Sequence, residues 1–337
     1  MKAFRYVAAS ATTIAMVGVV LTNPAFANES DGSILDTLTK VSAAATSSEQ
    51  RILSDVASES ARVSPEHALS VRVATSEVIV PTDPADGILL AGQVDFAIGL
   101  PFATQAAHAT HVSPGIASFD NGNGSNTVPV VKSDGSVQII TIIESTDAPT
   151  RYGYELGLPA GAKVEMGADG QVSVHNEDGI FLAGATAPWA TDANGAAVPT
   201  RYELTGSTLT QVIDHNSTFA YPIVADPWWG QSLLSSAWMS FHIGYYVVNA
   251  TATAWGRTWN GLATHASHVA ELKQRIGGTW AYVVDTNGGT IREQFLCHVA
   301  GNYFEQGVYN MESYQPARHW AGQLNPWDRC NILKQAP

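Results

Sequence analysis

Apolar residues in this chain recur in two periods, and the change from one to the other divides it. Between Asn28 and about Ser70, Ile34, Leu35, Leu38 and Val41, and again Ile52, Leu53 and Val56, follow one another at spacings of three and four. That rhythm predicts one or two short amphipathic helices, forming a spacer or a pro-region that lies against the body. From Val71 to Pro227 the apolar residues come in strand-length runs: Val71 to Val80, Val94 to Ile98, Val128 to Val131, Val137 to Ile143, Val172 to Val174 and Ile180 to Leu182. Between them lie Asp86-Gly87, Asn121-Gly122, Asp134-Gly135, Asp169-Gly170, Asp178-Gly179 and Asn194-Gly195, dipeptides that tolerate the positive φ of tight hairpins. Strands spaced in this way predict a mainly β domain, an antiparallel sandwich or barrel, and no helical pattern alternates with them as a doubly wound sheet would need.

Beyond Trp228 the pattern becomes mixed. Ile243 to Val248 reads as a strand, His265 to Ile276 as a helix ending at Gly277-Gly278, and Trp280 to Val284 as a strand. Asn287-Gly288 then turns the chain toward Gln294 to Val299. The expectation is a small α+β domain over residues 228–337, following a β-rich domain over 71–227 and a helical segment over 28–70.

The first 27 residues have a different character. Lys2 and Arg5 precede an apolar run from Val7 to Leu21, and Ala25-Phe26-Ala27 supplies small residues at a cleavage position. These are the parts of a secretory signal peptide, with cleavage expected after Ala27. An uncleaved anchor would need about 20 apolar residues, which the run does not supply. The stretch Leu233 to Val248 is short and interrupted by serines and His242, so no integral membrane segment is expected after cleavage.

Charge sharpens the division. The chain carries a net charge of -13; residues 28–227 hold 24 acidic and 8 basic groups, whereas the last 110 residues hold 6 and 7. Such acidity repels phosphate backbones and argues against a nucleic-acid partner. Aromatic residues are distributed the other way, with eight of the nine tryptophans at or after Trp228. Large rings with a polar N–H build cores, or anchor partners where exposed.

Export also shapes the reading of the two cysteines. In an oxidising compartment Cys297 and Cys330 are expected to pair, closing a loop of about 33 residues for a stabilisation of about 3–4 kcal/mol. The rival, Cys297 as a nucleophile beside His298, leaves Cys330 unexplained.

Few residues suggest catalysis. Gly-x-Ser-x-Gly, Ser-x-x-Lys, Walker and Gly-x-Gly-x-x-Gly patterns are missing from the sequence. His298, with Glu312 or Asp328 as an orienting partner, is the candidate for acid–base chemistry, set against a histidine that merely bonds a backbone carbonyl. His265, His268 and Glu271 would fall on one side of a helix and form a weak candidate cation site, set against a solvated helix face. Trp255, Arg257, Arg318 and Trp327 are the candidate binding surface. The Asp120 to Asn126 stretch places glycines where calcium ligands belong and reads as a mobile loop. No cofactor is expected.

Two segments resemble known families. Leu158-Pro159-Ala160-Gly161, Ala187-Pro188-Trp189-Ala190 and the closing Tyr221-Pro222-Ile223-Val224-Ala225-Asp226-Pro227 resemble a β-rich module of secreted actinobacterial proteins that precedes variable C-terminal domains. Trp255-Gly256-Arg257, Gln294-Phe295-Leu296-Cys297-His298, Gln315-Pro316-Ala317-Arg318 and Pro326-Trp327-Asp328-Arg329-Cys330-Asn331 resemble the exported actinobacterial family termed domain of unknown function 2599. Where that family has a Leu-Glu-Pro-Trp-Arg-Pro phrase, this chain reads Met311-Glu312-Ser313-Tyr314-Gln315-Pro316. The resemblance implies a compartment and no mechanism. Together these readings give a secreted or envelope protein with a binding or interaction module that contacts cell-wall glycan or protein. The alternative is a secreted effector or hydrolase acting through its C-terminal domain.

Overall fold

The structure, a computed structural model, describes residues 29–58, 61–73, 76–92, 94–301 and 307–333. The expected signal peptide lies outside the described residues. The chain is mainly β, and every strand pairing among the described residues is antiparallel. Helices are few and gather mostly in the C-terminal part, as the expected β-rich domain with a small α+β part requires.

Two large sheets pack face to face. The first runs, edge to edge, Ala61–Arg62, His67–Val73, Ser76–Pro81, Ile88–Ala91, Phe96–Ile98, Arg151–Gly157, Thr208–Ile213 and Thr200–Thr205. The second runs Lys163–Met166, Val172–His175, Phe181–Ala185, Trp228–Gly230, Val137–Ile143, Ser125–Val131, Ile116–Asp120 and Thr110–Ser113, with Ile223–Asp226 also paired to Val137–Ile143. Their inner faces share one core that includes Leu69, Val80, Phe96, Tyr152, Tyr154, Ile139, Ile143 and Trp229. This is a sandwich, and alternation along each strand builds it. Gly135, at φ 81°, closes the hairpin between Ser125–Val131 and Val137–Ile143 as the Asp-Gly signal predicts.

Val137–Ile143 is buried along its whole length because both of its faces are covered. Val137, Ile139 and Ile143 enter the sandwich, whereas Ile140 and Ile142 face outward beneath the helix α1, Glu29–Ala43. Ile34 and Leu38, one turn apart on α1, pack there with Ile116, Val128, Val130 and Val224. The first predicted helix therefore exists, lying against the body. The second does not: Ile52 and Leu53 lie in turns, Val56 forms an isolated bridge to Lys132, and Ile52 joins the α1 cluster. The buried Lys132 holds this segment by donating to the carbonyls of Ile52 and Ser54, the latter at 3.1 Å.

The C-terminal part is built on a three-stranded sheet, Leu234–His242, Tyr245–Ala252 and Val308–Glu312. Helices α2 (Ala254–Thr258), α3 (His265–Arg275), α4 (Thr290–Ala300) and α5 (Trp320–Gln323) accompany it. Its core collects Trp228, Trp255, Trp259, Leu272, Val284, Ile291, Phe295, Val248, Tyr309 and Met311. One sequence expectation fails here. Trp280 to Val284 is no strand, because Ala281–Val284 winds as a 3-10 turn that buries Val283 and Val284. Gln294 to Val299 belongs to α4, whose Ile291, Phe295 and Val299, four apart, all enter the core. Asn287-Gly288 does turn the chain, at φ 52° and 69°, just before α4 begins at Thr290. Among the described residues no helix is long and apolar enough to cross a membrane.

Candidate functional site

Of the candidate catalytic, metal and binding residues, the structure buries His298, His268 and Trp255 and leaves the others half-buried or exposed. His298, in the last turn of α4, is 4% exposed, and its ring lies parallel to that of Tyr309 with centroids 5.0 Å apart. Burial drives its pKa down to about 4, against the opposing effect of a backbone contact with Asn310. The imidazole is thus neutral above that pH and packed rather than presented to a cleft. Glu312 ends the strand Val308–Glu312; its N–H donates to Gln294 Oε1 at 2.9 Å, and its carbonyl accepts from Gln294 Nε2 at 3.0 Å. These bonds tie the strand end to α4.

His265, His268 and Glu271 do lie on one helix, α3, but each has a different task. His268 is buried, its pKa lowered by burial to about 4, and its Nε2–H donates to the Trp259 carbonyl at 3.0 Å. His265 is half-buried and meets the edge of Trp320 with centroids 5.1 Å apart. Glu271 accepts from the backbone N–H groups of Leu233 at 2.7 Å and Leu234 at 3.2 Å, and from Arg275 Nε at 2.7 Å. Burial raises its carboxyl pKa, and Arg275 opposes that rise. Among the described residues no group of three or more His, Cys, Asp or Glu could hold a metal ion.

The four candidate binding residues separate. Trp255 is fully buried, stacked on Trp259 at 5.2 Å, and its Nε1–H donates to the Trp228 carbonyl at 3.1 Å. Arg257 is half-buried and donates to the Ala252 carbonyl at 2.9 Å. Arg318 and Trp327 remain near the surface on the segment closed by the Cys297–Cys330 disulfide. Arg318 Nη1 pairs with Asp328 Oδ2 at 3.0 Å, and Trp327 is 81% exposed.

A second set of aromatics surrounds the turn of the hairpin Leu234–His242/Tyr245–Ala252. One face of this sheet supplies Val248, Ala250 and Ala252 to the core, so register assigns the other face. On that outer face Trp238 is opposite Asn249, which is opposite Asn310; Ser240 is opposite Val247, which is opposite Glu312; and His242 is opposite Tyr245. Trp238 is 42% exposed, the His242 and Tyr245 rings stack at 4.7 Å, and Tyr314 meets Tyr245 edge-on at 5.0 Å. At the hairpin end, Phe241 (60% exposed) packs on Trp280 at 5.1 Å, and Ile243 is fully exposed. Ser236 and Ser240, which interrupt Leu233 to Val248 as an apolar run, belong to the polar half of a strand alternation, and Ser235 is the extra residue at its register shift. The spacing Trp238, Ser240, His242 was the signal available in sequence.

No family model matches the chain, and no curated protein matches it.

Proposed function

We propose that the protein is an exported component of the cell envelope or its surroundings, related to the family termed domain of unknown function 2599, and that its C-terminal domain binds glycan. The disulfide Cys297–Cys330 supports the exported compartment. The observation that carries the binding reading is the outer face of the three-stranded sheet. There Trp238, His242, Tyr245 and Tyr314 offer ring surface beside the amide of Asn310 and the hydroxyl of Ser240. Rings pack on the C–H faces of a sugar, while amides and hydroxyls exchange hydrogen bonds with its hydroxyl groups. The domain is almost neutral, so no strong field selects a charged macromolecule. Burial of His298 and His268 in neutral form favours binding over hydrolysis at those residues.

The test is retention of the chain from Asn28 onward on purified cell-wall glycan, at low and high salt. Trp238→Ala combined with Tyr245→Ala should weaken retention about 30-fold, about 1 kcal/mol for each of the two rings removed. Retention should survive salt. A protein that is not retained at low salt, or a double variant that is retained as well as the parent, overturns the reading.

A further inference from the structure

The β sandwich carries a cavity that shares no residue with the aromatic face. Helix α1 covers only part of the outer surface of the second sheet; past Ile34 the surface continues as an open-sided cavity of about 820 Å³. Its floor is the outward row Ser118 and Asp120 on Ile116–Asp120, Asn126 on Ser125–Val131, and Ile142 with Glu144 at the end of Val137–Ile143. Its walls are α1, the segment around His108 and Thr110, and Tyr221. Volumes of about 300–1,000 Å³ are those of small-molecule sites.

The lining has a consistent chemistry. Six side chains bear hydroxyl groups, two carry carboxylates, and no lysine or arginine is present. The polar groups are held in place: Asp120 Oδ1 accepts from Gly122 N–H at 2.8 Å, Glu144 Oε1 from Asn126 Nδ2 at 2.8 Å, and Ser125 donates to Asn123 Oδ1 at 2.7 Å. Asn121, buried at the turn, donates to Ser125 Oγ at 3.0 Å and Thr127 Oγ1 at 3.1 Å, so the Asp120–Asn126 stretch is a hydrogen-bonded hairpin turn. Each carboxylate keeps a second oxygen beyond these bonds. Carboxylates on the floor repel anions and form charge-assisted bonds with ammonium groups. Hydroxyl groups match the donors and acceptors of a polyol.

We infer that this cavity binds a small hydroxyl-rich cation, of the chemical class of an amino sugar with free amines. This site is separate from the aromatic face and does not depend on what that face binds.

Calorimetric titration of the chain from Asn28 onward with diglucosamine, N,N′-diacetylchitobiose and digalacturonate tests it. Diglucosamine should bind best and digalacturonate least. Asp120→Asn with Glu144→Gln should weaken diglucosamine about 100-fold, about tenfold for each charge-assisted bond. Ser33→Trp, which narrows the cavity from the exposed side of α1 and keeps both carboxylates, should weaken diglucosamine about tenfold with the thermal transition unchanged. No diglucosamine binding at millimolar concentration, equal binding by the Asn/Gln double variant, or unchanged binding by Ser33→Trp would each overturn the inference. The last outcome would mean that the acidic surface attracts the cation without the cavity.

Discussion

Acid should unfold the C-terminal part first, and the buried histidines set how steeply. His268 and His298 each carry a pKa moved from the ordinary 6.5 to about 4 by burial. In the unfolded chain both regain the ordinary value. Between pH 6.5 and 4 the unfolded state therefore binds more protons than the folded one, so stability rises with pH across that window and is lost as pH falls through it. A shift of this size corresponds to about 3 kcal/mol per imidazole, and two of them approach the whole stability of a typical domain. Asp226 acts in the opposite sense: burial raises its carboxyl well above the ordinary range, so its contribution falls as pH rises above about 4. The histidine effect is consequently read as a difference between proteins. Urea unfolding followed by tryptophan fluorescence at pH 7.5, 6, 5 and 4 reports mainly the C-terminal part, since of the nine tryptophans only Trp189 and Trp229 pack in the sandwich. His268→Gln with His298→Gln should be less stable at pH 7.5 through imperfect packing, but should lose about 5 kcal/mol less than the parent on going to pH 4. Parallel pH profiles for the two proteins would refute the reasoning. So would a native-state proton NMR titration of either imidazole with a midpoint above 6.

Leu38→Ala, removing a fully buried side chain of α1 from its seat on the second sheet, should cost about 2–5 kcal/mol in urea unfolding. An unchanged midpoint would show that α1 does not hold that face. Gly230→Ala places a Cβ 2.4 Å from the buried Trp255 ring, so a loss of about 1–3 kcal/mol and a changed near-ultraviolet circular dichroism of tryptophan are expected. Cys330→Ser should lower stability by about 3–4 kcal/mol on the loop-entropy relation. In the parent, denaturing thiol titration without reductant should find no free thiol, as the Cys297–Cys330 bond requires.

What could be read in advance depended on how locally each feature is encoded. The sandwich was legible because Asp-Gly and Asn-Gly dipeptides punctuate runs such as Val137–Ile143, whose extent matched to the residue. α1 and α3 were legible from spacings of three and four. α4 was not assigned from sequence although Ile291, Phe295 and Val299 stand four apart, since the apolar run Phe295 to Val299 is short enough to be read either way. His298 could not be judged from its neighbours in sequence, because its burial depends on Tyr309 from a different element. The cavity was less legible still. Its lining comes from residues near positions 33, 108, 120, 144 and 221, and no pattern in any of those stretches points to a ligand alone.

The sharp change of composition at Trp228 coincides with a place where the two cores meet. Trp228–Gly230 is a strand of the second sheet, paired to Phe181–Ala185 and Val137–Ile143. Alternation along it sends Trp229 into the sandwich, 5.5 Å from the Phe96 ring, and Trp228 into the C-terminal core. Phe181 on the adjacent strand packs 4.6 Å from Trp259 and 6.0 Å from Trp255. Gly184 and Gly230, lacking Cβ atoms, let those two indoles approach the sheet backbone: a Cβ would fall 3.0 Å from Trp259 and 2.4 Å from Trp255. A fragment beginning at Trp228 would take one strand out of the second sheet and leave Trp255 and Trp259 without the surface they cover. The tryptophan excess thus serves the junction as well as the small core, and binding has to be measured on a chain that keeps both sheets.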